Sequence, residues 1–335
     1  MRIRKAIWMP GLFAVIALTL VACGGSDATA TPIPTANAPS QQGSSSLTQE
    51  ESLYLSEVVR AEQSSGAIFQ AFRTIFTQTY PVREALIAAL LKAGVGTPFI
   101  NRTAILENLD PPERFREDHL IWLNASRELL RIDTEAAEAV EAGDLVRFSV
   151  LNGQLGGVNV GALIALSPAF CRRIGQTVEQ LEICTPDDSV LDGEYETAIN
   201  DLIRGFMPAF ATFQGDIGFR LSLTPEELNL ITSETAANAR NTFQGFASAL
   251  DKVTPPDDLS ADHERLKEFF DRALEIVTEV DRLGREGDLE GARGELLKLE
   301  PAFCDARGSF EAEEFKDAVA ILFVGRASTC GGTSF

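Results

Sequence analysis

An internal duplication is the feature that most constrains the fold of this chain. A shift of 144 residues places Pro111-Pro112 on Pro255-Pro256, Asp118-His119 on Asp262-His263, and Gly143-Asp144-Leu145 on Gly287-Asp288-Leu289. Two copies are too few for a solenoid, so the pattern predicts two homologous domains in tandem.

A second match falls at a different spacing. Pro168-Ala169-Phe170-Cys171 recurs as Pro301-Ala302-Phe303-Cys304, an offset of 133 residues instead of 144. The difference predicts 11 extra residues in the first copy, placed within the glycine-rich stretch 152–162.

Each copy has the periodicity of helices. One stripe with alternating steps of four and three residues runs through Tyr195, Ile199, Leu202, Phe206, Ala209 and Phe213. Its counterpart in the first copy is a helix over 47–79. Strand-like alternation is missing, and short loops separate four helical runs in each copy. The sequence therefore predicts an all-α protein made of two up-and-down four-helix bundles.

Local signals mark the ends of these helices. Proline pairs preceded by a capping residue, at 110–112 and 254–256, predict helix starts, as does Thr224-Pro225. Gly143 and Gly287 predict helix ends, and the aspartate after each glycine predicts the N-cap of the next helix. Gly94-Val95-Gly96 predicts a turn between two helical runs.

The N-terminus has the pattern of an export signal. Arg2, Arg4 and Lys5 precede an apolar run over 6–22 that ends in Leu20-Val21-Ala22-Cys23. This ending resembles the lipobox of bacterial lipoproteins. The resemblance implies cleavage before Cys23, lipid on its sulfur, and anchoring to the extracytoplasmic face of a bacterial membrane. An ordinary secretory cleavage site and an uncleaved anchor are the alternatives.

The expected organisation has four parts. A signal peptide (1–22) precedes the lipidated Cys23 and a tether (23–46) rich in Ser, Thr, Pro and Ala, which has too few large apolar residues to form a core. The first repeat follows over 47–186 and the second over 187–335. No segment after residue 22 is expected to span a membrane.

The remaining four cysteines fit an oxidising compartment. Three pairings of Cys171, Cys184, Cys304 and Cys330 are possible. The repeat favours Cys171–Cys184 and Cys304–Cys330, each within its own copy. A zinc site made of the four thiolates is the alternative, although no Cys-x-x-Cys spacing is present.

Charge limits the possible partners. The chain has 49 acidic and 29 basic residues, a net charge of −20. Nucleic acid is therefore excluded as an expected partner, whereas basic peptides, polyamines or divalent cations would be attracted. The 45% apolar content is too high for a disordered chain.

The two histidines are the most unusual chemical feature. His119 falls in a stripe with Phe115, Trp122, Ser126 and Leu129, and His263 falls in one with Leu259, Leu266, Phe270, Ala273, Val277 and Val280. Both are expected inside the helical core, where a histidine needs a hydrogen-bond partner. They are interpreted as core residues that fix helix register. The alternative makes them ligands of a metal or a haem, but no carboxylate or histidine lies three or four residues away.

Catalytic motifs are missing from the sequence. Phosphate-binding loops, nucleophile elbows and His-Glu-x-x-His are not found. The run 187–193 resembles a calcium loop but lacks its final glutamate, and it is interpreted as a linker. The tandem Pro-Pro-x6-His repeats are similar to helical domains of bacterial secreted proteins and lipoproteins of no established activity. We therefore expect a non-enzymatic, lipid-anchored module of the cell envelope, without a cofactor, that binds a partner protein or a small ligand. The alternative is a redox or sensing bundle that binds metal or haem through His119 and His263.

Overall fold

The computed structural model describes residues 47–76, 80, 82–178, 184, 193–222, 233–319 and 322. Within these residues the protein is helical and has no β-strand, which confirms the all-α prediction. The predicted signal peptide, the lipobox, the tether, residues 187–192 and the helix start at Thr224-Pro225 lie outside the described residues.

The described helices of the first repeat are α1 (Gln49–Gln63), α2 (Gly66–Phe76), α3 (Arg83–Ala93), α4 (Pro98–Glu107), α5 (Arg116–Glu141), α6 (Leu145–Ala165) and α7 (Pro168–Val178). Those of the second are α8 (Glu194–Ser222), α9 (Ser233–Leu250), α10 (Ser260–Glu286), α11 (Leu289–Leu296), α12 (Leu299–Ser309) and α13 (Glu313–Val319). With the offset of 144, the start of α5 corresponds to the start of α10. The start of α6 corresponds to the start of α11, and the end of α6 corresponds to the end of α12.

The long helix predicted over 47–79 is interrupted. α1 ends at Gln63 and α2 begins at Gly66, with Ser64 and Ser65 between them. The Ser64 hydroxyl donates to the carbonyl of Ala61 (2.6 Å), and the Ser65 hydroxyl donates to the carbonyl of Pro98. Serine side chains that bond to backbone groups compete with the helical ladder, which accounts for the break.

The proline pairs lie before the helices and not inside them. α5 and α10 begin at Arg116 and Ser260, each four residues after the second proline, so the predicted starts are wrong. Pro112 has ψ 151°, an extended conformation, and a short 3-10 turn over Glu113–Phe115 leads into α5. A proline also forces the residue before it out of the helical region, which delays the helix.

The predicted glycine ends and aspartate caps are confirmed. Gly143 and Gly287 have φ of 73° and 79°, a left-handed conformation that favours glycine. The Asp144 carboxylate accepts from the N–H of Arg147 at 3.0 Å, and the Asp288 carboxylate accepts from the N–H of Gly291 at 2.9 Å. These caps start α6 and α11 immediately after α5 and α10.

The glycine-rich stretch 152–162 is the middle of α6, so its prediction as an insertion is wrong. This helix packs along α8 of the second repeat in the most extensive helix–helix contact among the described residues. A Cβ on Gly153 would lie 2.3 Å from the Thr212 carbonyl oxygen, and one on Gly157 would lie 2.8 Å from the Pro208 carbonyl oxygen. The glycines therefore allow the two helix backbones to touch.

Hydrogen bonds reinforce the contact between α6 and α8. The Asn152 amide donates to the carbonyl of Gly215 at 3.0 Å, and the Arg204 guanidinium donates to the carbonyl of Ile164 at 2.8 Å. By length and composition α6 could also span a membrane, contrary to expectation, but 56% of its most apolar window is buried inside the protein. We therefore describe it as a core helix that joins the two repeats.

The Pro-Ala-Phe-Cys motifs occupy different places in the fold. Pro168 begins α7, whereas Pro301 lies in the first turn of α12, which corresponds to the second half of α6. Both motifs start a helix and bury a phenylalanine, Phe170 and Phe303. Their similarity is therefore local, and the inferred difference of 11 residues is wrong.

The cysteine predictions are confirmed in one pair. Cys171 and Cys184 form a disulfide that closes a separation of 13 residues at the end of the first repeat. Cys304 is also disulfide-bonded, which leaves it no thiolate for zinc. Its predicted partner Cys330 lies outside the described residues.

The apolar core extends through both repeats. Trp122, Phe170, Phe210, Phe270 and Phe315 are among its fully buried members. The predicted stripe on α8 is wrong at Ala209, which is exposed, while Ile203, Met207 and Phe210 are buried. α8 contacts α6, α9 and α13, so it buries more than one face.

Candidate functional site

His119 is held by a tyrosine from the first helix of its repeat. The Nδ1 atom of His119 on α5 lies 2.9 Å from the hydroxyl of Tyr54 on α1. Both side chains are buried, and the Tyr54 ring packs against Phe115 and Phe170 at centroid distances of 6.1 and 6.2 Å. The bond joins α1 to α5 inside an aromatic environment.

His263 repeats this arrangement in the second half of the chain. Its Nδ1 atom on α10 lies 2.9 Å from the hydroxyl of Tyr195 on α8, and the Tyr195 ring packs against Phe315 at 6.4 Å. The two histidines are 144 residues apart and the two tyrosines 141. We call these two pairs the Tyr–His pairs.

Burial fixes the protonation of both pairs. Desolvation, reinforced by the charge of Asp118, raises the pKa of Tyr54 well above its usual range, and burial likewise raises the pKa of Tyr195. Burial lowers the pKa of His119 and of His263. At neutral pH the tyrosine hydroxyl and the imidazole of each pair are therefore both uncharged, and one hydrogen bond joins the hydroxyl oxygen to Nδ1.

The aspartate before each histidine caps the N-terminus of a helix later in the chain. Asp118 accepts from the backbone N–H of Ser167 at 2.7 Å and from its hydroxyl at 2.6 Å, immediately before α7. Asp262 accepts from the N–H groups of Glu311 (3.0 Å) and Ala312 (2.8 Å), immediately before α13. A carboxylate at a helix N-terminus satisfies unpaired donors and interacts favourably with the helix dipole.

The repeated Asp-His element therefore connects three helices in each copy. The histidine is hydrogen-bonded to the first helix of the copy. The aspartate precedes it on the same helix, and its side chain points about 100° away, so it caps the short last helix of the copy. The predicted core stripes around His119 and His263 are confirmed, since every member is buried. These contacts give both histidines a structural role.

The geometry gives the metal or haem alternative no support. Nδ1 of each histidine is hydrogen-bonded to a tyrosine hydroxyl, which leaves only Nε2 of each ring for a metal. Within the described ranges, groups of three or more His, Cys, Asp or Glu side chains suitable for a metal are not found.

A buried polar cluster distinguishes the first repeat from the second. The Trp122 indole N–H donates to Glu62 Oε1 at 2.8 Å, and Arg102 Nε lies 3.0 Å from the same oxygen. The Arg102 guanidinium lies over the Trp122 ring, 4.4 Å from its centroid. All three side chains are at most 5% exposed. Burial raises the pKa of Glu62, and Arg102 and Trp122 partly oppose this rise.

The second repeat has apolar residues at the corresponding positions. With the offset of 141 that relates the two tyrosines, Ile203 stands at the position of Glu62. With the offset of 144, Phe246 and Leu266 stand at the positions of Arg102 and Trp122. Phe246 and Phe270 pack with their ring centroids 4.0 Å apart in this region. The two repeats share a framework of Tyr–His pairs and caps, but their interiors have diverged.

Two parts of the framework were missed from the sequence, namely the tyrosine partners and the capping aspartates. The chain has only three tyrosines and two histidines, and each histidine is hydrogen-bonded to a different tyrosine. The pairing of Asp118-His119 with Asp262-His263 was visible as a repeat, but the groups that these residues bind lie about 50 to 70 residues away.

No family model matches this chain, and no curated protein or solved structure is detectably similar to it.

Proposed function

We propose that the protein is a lipid-anchored, non-enzymatic module displayed on the extracytoplasmic face of a bacterial membrane. The lipobox-like Leu20-Val21-Ala22-Cys23 after a basic and apolar leader is the observation that carries this proposal. The disulfide between Cys171 and Cys184 supports it, because such bonds persist mainly outside the cytoplasm. The first described helix, α1, begins after its Thr48 cap, 25 residues after Cys23.

The folded part is proposed to be two tandem four-helix bundles joined through α6 and α8. In the first, each of the pairs α1–α2 and α3–α4 takes the place of one bundle helix with a break in it, which we call a broken rod. α5 and α6 are the other two helices. In the second, α8, α9, α10 and the broken rod α11–α12 take the same places. The offset of 144 at the start of α5 and at both ends of α6, together with the repeated Tyr–His pairs, supports this architecture.

Such a module would act by binding a partner protein or a small ligand within or between the bundles. The Asp-His elements stabilise the fold, so they are accounted for without a catalytic role. The net charge of −20 favours a basic peptide or another cation as the ligand. Binding of this kind weakens with salt, because a Debye length shrinks from about 10 Å at 0.1 M to about 3 Å at 1 M.

Lipid attachment is tested by metabolic labelling of the full chain with a palmitate analogue, followed by membrane fractionation. We expect label and membrane association in the wild type and loss of both in Cys23→Ser. Cys171→Ser is the matched control, since it breaks the disulfide but leaves the lipobox intact. An unlabelled wild-type chain, or label that persists in Cys23→Ser, would contradict the anchor.

The binding role is tested separately with a basic peptide and with spermine, titrated at low and high salt. Saturable binding that weakens with salt is expected. A turnover activity that one polar substitution abolishes would refute the non-enzymatic assignment.

A further inference from the structure

The second rod of the first repeat has a break that the second repeat does not share. α3 ends at Ala93, and Gly94 and Gly96 both adopt the left-handed conformation, with φ of 86° and 89°, before α4 begins. At the corresponding positions of the second repeat α9 continues without a break, with Arg240 in place of Gly96. We call residues 94–97 the α3–α4 turn.

The α3–α4 turn lies directly on α5 beside a buried carboxyl group. Asp133 is 2% exposed, and its carboxyl accepts a hydrogen bond from the backbone N–H of Gly96. Its Oδ2 atom is buried without a hydrogen-bond partner. A Cβ on Gly96 would lie 2.8 Å from the Cβ of Ala137, one turn further along α5, so the backbone of the turn touches this helix.

The surroundings of Asp133 are apolar. The same cluster contains Leu90 and Val95 from the turn side and Ile132, Ala136 and Val140 from α5. The second repeat has Val277 at the position of Asp133, so the carboxyl occurs only in the repeat that has the break.

Among the side chains that the structure describes, no cation is paired with this carboxyl. Lys92 is exposed, Arg102 is paired with Glu62, and Arg147 is paired with Glu135. None of them influences the pKa of Asp133, which burial raises to about 7 against the opposing hydrogen bond from Gly96. The other ionisable groups on the helices packed here, and on α5 nearby, likewise do not influence it: Arg83, Glu84, Glu107, Glu128, Arg131, Glu135 and Glu138.

We propose that Asp133 is a pH-sensitive latch that holds the α3–α4 turn closed on α5 when its carboxyl is neutral and releases it when the carboxyl ionises. A neutral carboxyl brings no charge into this apolar site, whereas a carboxylate would bury a charge with only the Gly96 N–H to stabilise it. An ionised Oδ2 must reach water, which requires the turn to move away from α5. Gly94 and Gly96 allow that movement, because glycine crosses between backbone conformations at little steric cost.

The direction of the effect follows from the two protonation states. In the closed turn Asp133 holds its proton up to about pH 7, whereas a hydrated aspartate loses it near 4. The closed state is therefore favoured most strongly below about pH 4 and loses this advantage as the pH rises through about 7. Between pH 6 and 8 the ratio of closed to open turn should fall about tenfold.

Hydrogen exchange on the full chain tests the latch. The amides of residues 94–97 are followed at pH 6 and pH 8, with rates divided by the intrinsic rate at each pH. We expect protection to fall about tenfold in the wild type and to stay constant in Asp133→Asn, whose amide has nearly the same shape but does not ionise. The segment around Arg240 in α9 is the internal control and should not respond in either protein.

Equal losses of protection in both proteins, or a constant value in the wild type, would overturn the latch. If Asp133→Asn does not fold, the carboxyl carbon of Asp133 is titrated by NMR in the wild type. A midpoint near 7 that coincides with loss of protection supports the latch, and a midpoint near 4 contradicts it.

Discussion

Tyr54 and His119 share a buried hydrogen bond of 2.9 Å that joins α1 to α5. Tyr195 and His263 form the same bond at the same distance in the second repeat. Two independent copies of one buried contact allow its contribution to be measured twice in one molecule.

Removal of either tyrosine hydroxyl should destabilise the protein. Tyr54→Phe and Tyr195→Phe leave Nδ1 of a buried histidine without its hydrogen-bond partner, so each should lower the free energy of unfolding by about 1–2 kcal/mol. Urea denaturation measures this. A double-mutant cycle with His119→Leu should give a coupling energy similar to that of the equivalent cycle with His263→Leu. No effect of Tyr54→Phe would mean that water replaces the hydroxyl.

Asp262 should contribute to stability at neutral pH and lose its contribution in acid. Burial alone would raise the pKa of Asp262, but the N–H groups of Ala312 and Glu311 together with Arg265 lower it further than burial raises it. A folded-state pKa below the unfolded value gives stability that is present above about pH 4 and lost as the pH falls through the folded value.

Asp262→Ala should therefore cost about 1–2 kcal/mol at pH 7, and the difference from the wild type should shrink towards pH 2. Thermal or urea unfolding across this range measures the difference. Asp271→Ala, an exposed position on the same helix, is the control and should change stability by less than about 0.5 kcal/mol. A pH-independent difference would argue against the cap.

The contact between α6 and α8 should not tolerate a methyl group. Gly153→Ala places a Cβ 2.3 Å from the Thr212 carbonyl oxygen, so the helices must separate, at a cost of about 1–3 kcal/mol. Gly205→Ala on α8 is the matched control. No atom lies within 4 Å of a Cβ built there, so this substitution should stabilise the protein by about 0.5–1 kcal/mol. Comparison of the two unfolding midpoints tests the prediction, and equal shifts would contradict it.

The buried pair of Glu62 and Arg102 should be costly to break but cheap to replace. Arg102→Ala leaves the Glu62 carboxylate buried without its cation and should destabilise the protein by about 3–5 kcal/mol. The triple variant Glu62→Ile, Arg102→Phe, Trp122→Leu introduces the residues of the second repeat and should lose much less. Chemical denaturation of both variants decides this. A triple variant as unstable as Arg102→Ala would mean that the second-repeat packing does not transfer.

Periodicity and cap chemistry predicted much of the fold. The stripes through His119 and His263, the ends at Gly143 and Gly287, and the pairing of Cys171 with Cys184 each depend on residues close in sequence. Short-range rules describe such contacts, because the groups that interact belong to one helix, one turn or one short loop.

Long-range contacts were beyond these rules. Residues 152–162 were predicted to contain an insertion of 11 residues. Glycine is a poor helix former, and only the approach of α8 explains why a helix needs glycine there. The tyrosine partner of each histidine is 65 or 68 residues away, and no periodicity encodes it. Likewise, the repeated Pro-Ala-Phe-Cys describes a helix start without specifying which helix.

The glycines of α6 that meet α8 have no equivalents in the second repeat. The positions that meet α8 are Gly153, Gly156, Gly157 and Gly161, and the positions 144 residues later hold Leu297, Glu300, Pro301 and Asp305. A third repeat appended after the second would meet side chains, two of them carboxylates, where α8 meets bare backbone. The second repeat therefore lacks a backbone contact surface equivalent to the one with which α6 meets α8.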